Sequence, residues 1–180
     1  MFKRYSLMAI LFSTFIFAST NGLVFASVSD KQRPYEEIYP EVGYKTVEEA
    51  VAEFETHFNE DLKLPLRVPP INFTHYFGRF SNLDGDINDS FDIEFVNDQS
   101  PQNHYKIDVR PIKNKITLKP RPNQKEYTLK SGEKAIYIED LLFNFLFVDK
   151  GNWQYIFGID KRVSDKVTPE VMVNIADSIE

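Results

Sequence analysis

The sequence contains no cysteine. That one absence excludes disulfides, thiolate metal ligands, a cysteine nucleophile and a lipid-carrying cysteine. Glycine is scarce, at seven residues, and none forms a Gly-x-Gly-x-x-Gly or Walker pattern, so no phosphate-cradling loop is encoded. A Gly-x-Ser-x-Gly elbow is missing as well. The three histidines, His57, His75 and His104, lie far apart, and no His-Glu-x-x-His helix joins any two of them. A net charge of −6 opposes non-specific attraction to nucleic acid, so no nucleic-acid partner is expected. Nothing in these patterns implies a cofactor.

What is present begins with an address. Lys3 and Arg4 precede an apolar run from Leu7 to Phe17, and Val24-Phe25-Ala26 offers compact residues at a cleavage site. This order predicts a cleavable secretory signal over residues 1–26, cut before Ser27. The alternative, a retained anchor, is opposed by length, since a bilayer core takes about 20 apolar residues. Ser19 to Gly22 also interrupt the run. Cleavage removes two positive charges and takes the net charge from −6 to −8. The 154 residues left suffice for one domain with a sizeable core and hold no spanning segment.

Residues 27–45 show no sustained period and carry Pro34, Pro40 and Gly43, which reads as a leader packing locally through Tyr35, Tyr39 and Tyr44. A single α+β domain is expected over 46–180. Thr46 and Glu49 stand at capping-box spacing, and Val47, Ala50, Val51, Phe54 and Phe58 recur at helical spacing. The helix is expected to run about four turns and to stop at Leu64-Pro65, because the residue before proline is pushed out of the α region. The period then falls to two. Strands are predicted within Ile71–Ser81 and around Phe91–Phe95, Tyr105–Val109, Ile112–Leu118, Lys134–Asp140, Leu142–Val148 and Trp153–Ile159, with a turn at Lys150-Gly151-Asn152. Leu142–Val148 is apolar on both faces, as a strand covered on both sides would be. Thr168, Pro169 and Glu170 open a last helix with Val171, Ile175 and Ile179 on one stripe. Helices at both ends of about six short-linked strands predict an antiparallel α+β fold.

Candidate sites are few. Asp84, Asp86 and Asn88 take the spacing of the first three ligands of an EF-hand loop. Asp89 stands where the loop's glycine belongs and Phe95 where its bidentate Glu belongs, so only a weak calcium site is expected, and an Asx-rich turn accounts for the same residues. A zinc site assembled from His75 and His104 is conceivable, against the simpler reading of surface histidines. Lys106 to Lys134 holds nine basic and three acidic residues. Within it Lys113, Lys115 and Lys119 are expected on one face of a strand, where they would dock an anionic polymer. The alternative is an edge strand whose lysines deter sheet-to-sheet pairing.

The C-terminal third carries a resemblance. Ser131-Gly132-Glu133-Lys134-Ala135-Ile136-Tyr137 precedes the apolar run Leu142–Val148, then Gly151-Asn152-Trp153-Gln154-Tyr155-Ile156, then a closing helix ending Ile175-Ala176-Asp177-Ser178-Ile179. With Leu62–Pro69 upstream, this order resembles a family of uncharacterised extracytoplasmic domains of Bacillus and Clostridia relatives. Some stand at the outer end of anti-sigma-factor-like membrane proteins, and others are secreted. The resemblance implies an exported protein of a Gram-positive bacterium, which the absence of cysteine suits, and brings no activity with it. The expected function is therefore non-enzymatic binding or sensing at the cell envelope, with an anionic cell-wall polymer or another envelope protein as partner. A hydrolase or protease inhibitor with an unrecognised site, and a calcium-stabilised structural domain, are the alternatives.

Overall fold

The computed structural model describes residues 33–83 and 88–180. The signal peptide expected over 1–26 lies outside the described residues. Three helices, α1 (Tyr35–Glu41), α2 (Val47–Phe58) and α3 (Pro169–Ala176), accompany seven strands. The strands are β1 (His75–Ser81), β2 (Ser90–Val96), β3 (Tyr105–Pro111), β4 (Gln124–Thr128), β5 (Lys134–Glu139), β6 (Phe143–Lys150) and β7 (Trp153–Asp160). They form one antiparallel sheet in the order β1-β2-β3-β7-β6-β5-β4. The α+β fold with helices toward both ends is as expected, with one strand more. No helix among the described residues is long and apolar enough to cross a membrane.

The additional strand is β4, which follows Pro120 and Pro122 and pairs only with β5. The strand expected over Ile112–Leu118 does not form. Ile112–Asn114 is a 3₁₀ turn and the chain beyond it to Pro120 is irregular, crossing from β3 toward β4. The stretch read as a leader holds α1, whose Tyr39 ring stacks on Phe77 and whose Tyr35 ring meets His75 edge-on.

α2 begins with the predicted capping box: Glu49 N–H donates to Thr46 Oγ1, and Thr46 N–H donates to Glu49 Oε2. It ends at Phe58, earlier than expected, because Asn59 turns left-handed (φ 51°) and donates its N–H to Glu55 O. Asparagine tolerates this conformation better than most residues. Its buried face, Ala50 and Phe54, lies on the first face of the sheet, where Phe54 meets the rings of Phe80, Phe91 and Trp153. The contact is close enough to require glycine at position 78, since a Cβ there would stand 2.8 Å from Val47 Cα. α3 covers the same layer beside β6, burying Met172, Ile175 and Ala176. Thr168 precedes it, but its side chain caps no backbone amide. Ile179 then pairs with Pro65, so the C-terminus pins the segment after α2.

Alternation along β3 shows the division of the sheet. Tyr105, Ile107 and Val109 are buried in the core, while Lys106, Asp108 and Arg110 point to the second face. That second face carries the candidate site.

Candidate functional site

Register fixes which side chains meet on the second face. One row crosses the sheet as Arg79, Asp92, Asp108, Ile156, Phe147 and Ile136. The next runs Phe77, Glu94, Lys106, Gly158, Phe145 and Ile138. The face is therefore charged over β1–β3 and apolar over β5–β7. Along β6, Phe143, Phe145 and Phe147 form a half-buried stripe with successive ring centroids 6.1 and 6.3 Å apart. This corrects the expectation that Leu142–Val148 is covered on both sides. The core face of β6 is buried, and its other face is a partly open platform.

Segments lie over both flanks of this face. On the β1 side, Tyr44 stacks over Arg79 with the guanidinium 4.4 Å from the ring centre, and Arg79 donates to Val42 O. On the other flank, the irregular crossover is tied down by Gln154, whose Oε1 accepts from Ile116 N–H at 2.7 Å and whose Nε2 donates to Ile116 O. Lys115 pairs with Asp149 beside it. Beneath the crossover is a cleft of about 410 Å³, with Ile116, Leu118, Ile136 and Phe147 as apolar wall and Lys115, Thr117, Glu133, Lys134, Asp149 and Gln154 as polar groups.

The expected lysines are thus brought to one segment, but not to one strand face. Lys115 is exposed and committed to Asp149 at the cleft. Lys113 sits in the 3₁₀ turn and lines a different, smaller cleft with Trp153 and Phe58. Lys119 is exposed on the irregular stretch. The physical reason is proline: Pro111 and Pro120 bracket the segment and remove ladder donors at both ends.

The charged half is poorly neutralised. Asp92 is buried, and Arg79 donates to its Oδ1 from Nε and Nη2. Burial raises the Asp92 carboxyl above its ordinary range, and Tyr44 and Arg79 oppose the rise. Directly across the ladder, Asp108 is pushed up to about 6, by burial first, and then by Asp92 and Glu94 against the pull of Lys106 and Arg110. Lys106 gives it no ion pair, because its stem crosses β7 and its ammonium lies over the Phe143 and Phe145 rings at 5.2 and 5.7 Å. Gly158 makes that crossing possible, since a Cβ there would come within 2.9 Å of Lys106 Cγ.

His75 and His104 do not form a zinc site. His75 Nε2 lies 2.9 Å from Glu36 Oε1 in α1, and His104 pairs with Glu94 of β2. No three His, Asp or Glu side chains among the described residues converge to hold a metal. Of the calcium ligands expected, Asp84 and Asp86 lie outside the described residues, and Asn88 is exposed. Asp89 is turned inward to His57.

Sequence reasoning missed the phenylalanine platform because an all-apolar strand looks the same whether one face is open or closed. The Asp92–Asp108 pairing escaped it because register depends on loop geometry. The chain matches no protein-family model, no curated protein and no solved structure.

Proposed function

We propose that this is an extracytoplasmic, non-enzymatic binding domain that takes an anionic polymer of the cell envelope along the crossover between β3 and β4. The observation that carries this reading is the pairing of free charge with an apolar cleft. Lys113, Lys119 and Arg121 are exposed and make no ion pair with any described residue, while the segment that bears them roofs the cleft walled by Ile136 and Phe147. Free cations on a chain of net negative charge set the orientation of an approaching polyanion, and the apolar wall adds contact that salt does not screen. The signal-like residues 1–26 and the resemblance of the C-terminal third to extracytoplasmic domains support the part of the proposal that sets this activity outside the membrane. Lys115 serves the cleft differently, since its ammonium is already neutralised by Asp149.

The test is retention on purified cell-wall sacculi across a salt series. The wild type is expected to bind at low salt and release as salt rises. Lys113→Glu with Lys119→Glu abolishes retention, and Phe147→Ala weakens it while leaving its salt dependence unchanged. Retention that is the same for wild type and double variant at every salt concentration refutes the proposal.

A further inference from the structure

The turn joining β5 to β6 carries Leu141 and Leu142, 87 % and 77 % exposed, the barest large apolar side chains among the described residues. It lies at the end of the strands where Phe143 pairs with Asp160, whereas Pro111, which leads to Lys113, pairs with Trp153 at the other end. Exposed apolar residues that stand singly need no explanation, but an adjacent pair at the tip of a turn does. The turn is held from within. Leu141 N–H donates to Asp140 Oδ1 at 2.7 Å. Lys161, just past β7, donates its N–H to Leu142 O at 2.9 Å and its ammonium to Asp140 O at 3.0 Å. Three backbone groups of the turn therefore keep their partners when water is removed, which is what entry into hydrocarbon demands.

Phe143, next along β6, does not extend this patch in the open, because His104 meets its ring edge-on at 5.0 Å and the Lys106 ammonium lies over it. Two leucine side chains fall far short of the ~800 Å² that each partner of a stable protein interface buries, so they make no seat for a second copy or another folded protein. A bilayer sets no such requirement: a few apolar side chains with positive charge beside them give reversible interfacial binding. The charge is present. Lys125 and Arg162 flank the turn and pair with Glu139 and Asp160. Lys161 gives its ammonium to a carbonyl, and Arg121 makes no ion pair with any described residue. Arg121 opens the turn whose Asn123 amide donates to Glu139 O. With Asp140 as the remaining carboxylate, positive charge exceeds negative around this turn on a chain of net charge −6. We infer that the Leu141–Leu142 turn inserts into the interface of an anionic lipid bilayer, with Arg121 and Lys161 at the headgroups. Lys113 then lies at the end of the strands far from the bilayer.

The experiment is co-flotation of the purified protein with vesicles of phosphatidylcholine holding about 30 % phosphatidylglycerol, set against vesicles of phosphatidylcholine alone. The wild type should float with the anionic vesicles, and severalfold less with the neutral ones or at raised salt. Leu141→Ser with Leu142→Ser should cut binding by about 10-fold or more. Both side chains are exposed, so that variant should keep the melting temperature of the wild type. Leu142→Trp gives a second readout: its emission should shift to the blue on the anionic vesicles, while the single native tryptophan, Trp153, is buried at the other end of the strands. Retention of the double serine variant on cell-wall sacculi should equal that of the wild type, which separates this contact from the crossover. No flotation at about 1 mM lipid, tenfold above the level that half-binds a single myristoyl chain, overturns the inference. So does flotation of the serine variant equal to wild type, or a wild-type dimer that the serine changes dissolve, which would make a second copy the cover.

Discussion

Asp108→Asn offers the sharpest test of the charge balance on the second face. Asp108 in the folded chain titrates near 6 rather than its ordinary 3.8, mainly because the sheet buries it. A carboxyl whose folded pKa is raised binds its proton more tightly in the native state than in the unfolded one. Its effect on stability is therefore absent at low pH and grows unfavourable as pH rises through the interval between those values. At about 1.4 kcal/mol per pH unit, full ionisation costs the native state about 3 kcal/mol by pH 7, an upper figure for a half-buried group. Asparagine keeps the shape and removes the charge. Urea unfolding of both proteins at pH 4, 5.5 and 7 isolates the effect, because every other titrating group is common to the pair. The variant should match wild type near pH 4 and gain about 2 to 3 kcal/mol over it at pH 7. A difference independent of pH, or a variant less stable at pH 7, refutes the claim that Asp108 sits uncompensated.

Two further comparisons set matched sites against each other. Tyr155 donates its hydroxyl to Lys63 O at 2.8 Å, so Tyr155→Phe should cost about 1 to 2 kcal/mol in chemical denaturation. The Tyr105 hydroxyl is fully buried with no hydrogen-bond partner among the described residues, so Tyr105→Phe should be neutral or stabilising; equal losses in the two variants would contradict this. Gly78→Ala drives a Cβ against the backbone of α2 and should cost about 1 to 3 kcal/mol. Gly158→Ala meets chiefly the flexible Lys106 stem, so its melting temperature should fall less, while Lys106 leaves the phenylalanine rings. A larger loss for the second glycine would show that the lysine cannot move.

The elements most legible in the sequence are those whose period and caps agree. The Thr46–Glu49 box and the alternation at Tyr105, Ile107 and Val109 predict both element and buried face. Where one signal stands alone it misleads. Ile112, Ile116 and Leu118 alternate with lysines, yet two prolines and the pull of Gln154 on Ile116 hold that segment away from any ladder. The end of α2 is set by Asn59, not by the later proline, because a left-handed residue closes a helix as firmly as a missing donor. The candidate site was visible only in part. Its lysines are a composition signal, whereas the Asp92–Asp108 pair and the His57–Asp89 contact join residues 16 and 32 positions apart, and the platform depends on which face of β6 is left uncovered.

The strand order has a consequence for how the molecule is made. The central pair joins β3 to β7, residues 105–111 to 153–160, so the two halves of the sheet are closed by a contact of long sequence separation. Each half is a meander of neighbouring strands and can assemble locally, but their joining waits on the costlier loop closure. A chain delivered from its N-terminus therefore holds β1–β3 with an unpaired inner edge from Tyr105 to Pro111 until Asp160 arrives. During that interval the waiting edge carries Lys106, Asp108 and Arg110 at every second position. Charges so placed discourage pairing with the wrong strand. The polar row on the second face of the finished protein is, earlier in its life, a guard on an open edge.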